Sequence, residues 1–184
     1  MRNANHLLFT KHRFTVLCIV GLMSVLITTL VSADEPAIDM EFDFESFTLG
    51  ALNGQDEWRT NHDNITVTAS AARNGNQSVQ VSGDGASGMS LYYNFTLIEK
   101  GRIDWWAKTD SKTRMVTQFQ QTSADGTKRA EWFGFNTDGT FVYYDGDVRS
   151  FSEATYQLDT WYRFSVLFDS AEQTKTLIVS DMNG

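Results

Sequence analysis

From Ile65 onwards the chain alternates. "NITVTAS" sets Ile65, Val67 and Ala69 against threonines and a serine, and "QSVQVSG" does the same with Val79 and Val81. In "MSLYYNFTL", Met89, Leu91, Tyr93, Phe95 and Leu97 share one parity, and "RIDWWAK", "MVTQFQQ", "AEWFGFN", "TFVYYD", "WYRFSVLFD" and "KTLIVSD" continue the pattern. Successive side chains of a strand point to opposite faces, so this period of two predicts half-buried strands. No stretch past Pro36 carries the spacing of an amphipathic helix. Asn74-Gly75, Asp125-Gly126, Asp138-Gly139 and Asp145-Gly146 separate several of the runs as hairpin or loop dipeptides. Many short strands punctuated in this way predict an all-β, antiparallel sandwich or barrel. "MEFDFES" extends the alternation to the N-terminal side. It predicts a first strand with Phe42 and Phe44 inward and Asp43 and Glu45 on the solvent side, where charges blunt a sheet edge.

The two ends change the picture. Arg2, Lys11 and Arg13 precede an apolar run from Phe14 to Val31, and "VSA" at Val31 to Ala33 supplies small residues for cleavage before Asp34. Residues 1–33 therefore read as a signal peptide, with an uncleaved anchor as the alternative, and 34–40 as a short linker. The chain is expected to be secreted, or held at the cell surface or in a periplasm. Its single cysteine, Cys18, lies in the signal, so the remaining 151 residues (184 less 33) rely on their core without disulfides. The formal charge is −8; losing three of the 15 basic residues leaves 12 against 23 acidic ones, or −11. That balance argues against nucleic acid and against anionic membrane surfaces as partners. At the C-terminus, Asn183-Gly184 is a hairpin dipeptide with no strand after it, so the fold reads as lacking its last strand or strands.

"FDFESFTLGALNGQDEW", "ARNGNQSVQVSG", "GRIDWWAK" and "TWYRFSVLFDSAEQTKTLIVSDMNG" together resemble the concanavalin A-like lectin/glucanase (LamG-like) jelly rolls of secreted proteins. The resemblance implies a two-sheet antiparallel jelly-roll sandwich over residues 41–184, with a face that often receives carbohydrate. Relatives of this kind include hydrolases, lyases, glycan binders and plain adhesive modules.

Catalysis finds little support in the residues. His62, in the loop "TNHDN", is the only histidine beyond the signal, which excludes a multi-histidine zinc site and leaves little for a Ser-His-Asp triad. Glycoside hydrolysis needs two carboxylates about 5–10 Å apart. The Glu-x-Asp-x-x-Glu strand that the resemblance to laminarinase-like enzymes would imply is not in the chain, and neither are the Arg, Gln, His and Tyr motifs of the alginate-lyase type. No cofactor is required. Calcium is the alternative reading of Asp43 and Glu45, joined by an aspartate from another segment such as Asp169 or Asp181.

The outward parity is more informative. With Ile103, Trp105 and Ala107 inward, Trp106 faces out; with Phe133 and Phe135 inward, Trp132 and Asn136 do. Phe119 inward leaves Gln118 and Gln120 outward; Tyr162, Phe164, Val166 and Phe168 inward leave Arg163 outward; and of Tyr143 and Tyr144 one faces out, taken as Tyr144. If these strands share one sheet, its outer face carries Trp106, Gln118, Gln120, Trp132, Asn136, Tyr144 and Arg163. Indole rings offer a stacking platform to the C–H face of a pyranose, and planar amides and guanidinium groups exchange hydrogen bonds with its hydroxyls. The expectation is a secreted, non-catalytic, lectin-like module whose partner is a polysaccharide or other glycan. A structural or adhesive module with a protein partner, and the N-terminal part of a glycan-active enzyme, are the alternatives.

Overall fold

The computed structural model describes residues 42–83, 88–95, 99–123, 126–145, 148–169, 171–172 and 174–182, with the side chains of 119–132, 145 and 148 outside the description. The expected signal peptide, the linker and the terminal Asn183-Gly184 lie outside the described residues. Those described form two compact units, one within Pro36–Leu97 and one within Ile98–Gly184. Regular structure in both is antiparallel β, apart from a short 3-10 turn at Gln55–Glu57. No helix of the described residues is long and apolar enough to cross a membrane.

The first unit has five short strands: β1 (Gly50–Ala51), β2 (Arg59–Thr60), β3 (Ile65–Thr68), β4 (Ser78–Val81) and β5 (Leu91–Tyr92). They pair in the order β1-β3-β4, with β2-β5 as a separate ladder. Leu52, Ile65 and Val67 are buried at its centre, with Phe44, Phe47, Trp58, Val79, Met89 and Leu91 packed around them. The alternation read in "NITVTAS" is observed at Ile65 and Val67, whereas Ala69 lies past the end of β3 and is exposed.

The expected first strand is not a strand. Residues 42–44 have no regular structure, a turn follows at Glu45, and Phe44 takes the left-handed region at φ 63°. Both phenylalanines nevertheless reach one aromatic cluster: Phe42 lies 5.4 Å from Trp58 and 4.6 Å from Tyr93, and Phe44 lies 5.3 Å from Phe47. The turn is closed by Asp43, which accepts from the Glu45 backbone N–H at 2.9 Å. Glu45 in turn accepts backbone N–H groups of Asn76 and Gln77, each at 2.8 Å, and so clasps the loop before β4. Gly75 is needed there. Its φ is +68°, and a Cβ would run into the Glu45 carboxylate.

The second unit contains β6 (Lys100–Ala107), β7 (Met115–Ser123), β8 (Gly126–Phe135), β9 (Thr140–Asp145), β10 (Val148–Thr155), β11 (Tyr162–Asp169) and β12 (Thr174–Asp181). Two sheets result, in the orders β10-β9-β8-β7 and β12-β11-β6. Phe133, Phe135, Phe141 and Tyr143 from the first, with Tyr162, Phe164, Val166 and Leu177 from the second, make one buried cluster, so the sheets pack as a β-sandwich. Phe164 touches Phe133, Phe135 and Phe141 edge-on and stacks on Trp105. The parity predicted for β6, β8 and β11 is the parity observed: Trp105 and Ala107 pack on the core, and Phe133, Phe135, Phe164 and Val166 lie within it.

Candidate functional site

Register decides which candidate residues meet. Gln118 lies opposite Trp132, Trp132 opposite Tyr144, and Tyr144 opposite Arg149, in one row across β7, β8, β9 and β10. Directly opposed residues stand about 5 Å apart. Tyr143 points into the core, which puts Tyr144 on the outer face. The adjacent outward row is Val116, Gly134, Val142 and Phe151. Phe151 is 46% exposed, whereas Val142 is fully covered. Gly134 keeps the β7 and β8 backbones close: a Cβ there would strike the Met115 carbonyl oxygen and come within 2.9 Å of the Val116 Cα.

Two arginines frame the row. Arg114 donates from Nη2 to the Tyr144 hydroxyl, and its guanidinium lies 5.5 Å from the Tyr144 ring centroid. Arg149 lies 5.1 Å from the Phe151 ring centroid. Both arginines are exposed. Neither they nor Phe151 stand out in the sequence, because "VRSFSEAT" inverts the usual pattern. Phe151 is outside while Ser152 is buried, accepting from the Phe141 N–H and donating to the Ala154 carbonyl. The one available signal is that Arg149 and Phe151 share a parity.

Trp106 and Arg163 form a separate pair. They are opposed across β6 and β11, on the outer face of the other sheet. Since the inner faces of the two sheets share one core, their outer faces point away from each other. The expectation of one common face for all seven residues is therefore replaced by two. Arg163 is also a held residue: its Nη2 donates to Asp104 Oδ2 at 2.9 Å, and Arg102 Nε meets the same oxygen at 2.8 Å. Ser165, almost fully buried, donates its hydroxyl to Asp104 as well. Partial burial raises the Asp104 carboxyl, but the hydrogen bonds from Ser165, Arg163 and Arg102 outweigh it and leave the group below the ordinary aspartate range.

Asn136 belongs to neither face. It is buried at the end of β8, where the chain turns: its N–H donates to the Thr140 carbonyl at 2.9 Å, and its carbonyl accepts the Tyr156 hydroxyl at 2.7 Å. The outward assignment fails because the strand has ended at Phe135 and period two no longer applies. Asp138 completes this turn by accepting the Thr140 N–H and hydroxyl, with Gly139 at φ 92°. For Gln120, only the backbone is described: it lies opposite Arg129, beyond an irregularity that shifts the register after Phe119. The side chains of Gln120 and Trp132 lie outside the described residues.

Among the described residues no group of three or more His, Cys, Asp or Glu is placed to hold a metal ion. The carboxylates suggested for calcium have other uses. Glu45 clasps the loop before β4, while Asp169 pairs with Lys100 at 2.8 Å and accepts the Glu172 N–H. Both are held below the ordinary carboxylate range, Glu45 chiefly by the Asn76 N–H and Asp169 chiefly by the Glu172 N–H. No family model, curated protein or solved structure matches the chain.

Proposed function

We propose that the chain is an exported, non-catalytic carbohydrate-binding module of the concanavalin A-like jelly-roll type, which binds glycan on the outer face of the β10-β9-β8-β7 sheet. The observation that carries this reading is the register row Gln118, Trp132, Tyr144, Arg149, which places an amide, an indole, a phenol and a guanidinium on four consecutive strands. A pyranose stacked on one ring buries about 60 Å² of apolar surface, worth on the order of 1.5 kcal/mol at about 25 cal/mol/Å². Two stacked rings with neighbouring hydrogen bonds bring binding to about the micromolar to millimolar range. A paired sheet supplies such a platform with little backbone rearrangement, because its residues are held by a ladder rather than by a loop. Arg114 adds to this by donating to the Tyr144 hydroxyl, with its guanidinium 5.5 Å from the ring centroid, which limits the rotamers the phenol samples.

Titration of the full chain with soluble polysaccharides, followed by tryptophan fluorescence, tests the reading. A saturable change is expected, abolished by Trp132→Ala and retained by Trp106→Ala, with far-UV circular dichroism unaltered in both. Silence of a folded chain towards every polysaccharide would overturn it. Loss of binding in Trp106→Ala alone would move the site to the opposite face.

A further inference from the structure

The charge on this face is distributed unlike that of the rest of the chain. The protein is acidic, with 23 Asp and Glu against 15 Lys and Arg. On the sheet formed by β12, β11 and β6 three cations have carboxylate partners: Lys100 pairs with Asp169, and Arg102 and Arg163 share Asp104. Arg114 and Arg149 enter no ion pair among the described residues. They lie instead over the rings of Tyr144 and Phe151. The two outward rows, Gln118–Trp132–Tyr144–Arg149 and Val116–Gly134–Val142–Phe151, contain no Asp or Glu, and the exposed Glu153 follows them outward on β10.

From this we infer that the ligand of the face is an acidic polysaccharide whose pyranose rings carry carboxylates. The inference rests on the glycan reading above and names its substrate class. A guanidinium resting on an aromatic ring has its plane fixed, so less conformational entropy is lost when its fork meets a planar acceptor. Carboxylate and guanidinium then form two parallel, charge-assisted hydrogen bonds, stronger than any bond to a neutral hydroxyl. Tyr144 and Phe151 each have a guanidinium beside the ring, and a polymer with an apolar C–H face and a carboxylate on each sugar presents the matching pair of groups. A net negative protein repels such a polymer over most of its surface, so cations that have no ion pair among the described residues would orient it on this sheet.

The test compares polygalacturonate, dextran sulfate and dextran as carboxylated, sulfated and neutral probes of the full chain. Polygalacturonate is expected to bind at least tenfold more tightly than dextran. Its affinity should fall steeply between about 0.01 M and about 1 M salt, where the screening length shrinks from about 30 Å to about 3 Å. Arg149→Gln is expected to lose about tenfold towards polygalacturonate and no more than about twofold towards dextran, whose hydroxyls an amide can still serve. Arg149→Lys, which keeps the charge but not the fork, should recover only part of that loss. Arg114→Gln should lose more, since it also frees the Tyr144 hydroxyl. Equal binding of dextran and polygalacturonate, indifferent to both arginines, would overturn the carboxylate assignment and leave the glycan module standing. Binding of dextran sulfate alone would overturn it in favour of sulfated chains. Silence towards all three would remove both readings.

Discussion

The unit within Ile98–Gly184 and the unit within Pro36–Leu97 are both antiparallel β, yet they are held by different means. The larger one is built on ladders of eight paired positions between β11 and each of its neighbours, β6 and β12. Its two sheets close on a single aromatic core centred on Phe164. The smaller one has strands of two to four residues and a core of Leu52, Ile65 and Val67. It makes up the difference with loops: the Asp43 turn, the Glu45 clasp on Asn76 and Gln77, and Gln55, whose side-chain amide donates to the Thr48 and Ala51 carbonyls. Three of its non-glycine residues, Phe44, Asp56 and Glu57, have positive φ, a cost that loops pay only where surrounding contacts hold them. Long ladders fix side-chain direction over many residues. Short strands tied by carboxylates make a compact but charge-dependent support.

The largest effect should come from the ladder-built core. Phe164→Ala removes the ring that Phe133, Phe135, Phe141 and Trp105 all touch, and is expected to cost about 3–5 kcal/mol. Urea denaturation would measure it, and a loss below about 1 kcal/mol would mean that this cluster is not the centre of the unit. Next is Gly134→Ala, expected to cost about 1–3 kcal/mol, since Met115 and Val116 backbone atoms stand where the Cβ must go. An unchanged midpoint would show that β7 and β8 separate freely, and a ligand platform set by their register would lose its basis.

The subtlest effect belongs to the clasp. Glu45 has a lowered pKa in the folded chain, through the N–H groups of Asn76 and Gln77. Its contribution is fully present above the unfolded value of about 4.3, and is lost as pH falls through the lower folded-state value. Protection of these two amides, measured against the intrinsic exchange rate at each pH, should therefore be strong near neutral pH and weaken on acidification, so that they become fast relative to that rate ahead of the β6 and β11 amides. Glu45→Gln should show the fast behaviour already at neutral pH. Equal protection of Asn76 and Gln77 in both proteins would remove the clasp from the account of this unit.

Much of the architecture was legible in the residues. Ile65 and Val67, Trp105, Phe133, Phe135, Phe164 and Val166 all face the way their parity predicts, because burying one face of a strand demands an apolar residue at every second position. The turn at Asp138-Gly139 was equally readable, since a glycine with positive φ after an aspartate is local chemistry. Parity also put Tyr144 outward, as observed. That Gln118, Trp132 and Tyr144 lie in one row was not legible, since register depends on which strands pair.

What the sequence by itself determined is the set of side chains that each strand turns inward or outward. It holds wherever a strand is long and regular, because the rule is stereochemical and local. Tertiary structure decided the rest. Strand order separated Trp106 and Arg163 from Tyr144. The end of β8 took Asn136 into a turn. Backbone amides 31 and 32 residues away drew Glu45 out of the expected strand. Arg114 acquired Tyr144 as its aromatic partner only once β7, β8 and β9 were paired in order. Each of these outcomes depends on groups far apart along the chain, whose approach is set by the total energy of packing and hydrogen bonding rather than by any periodicity in the residues between them.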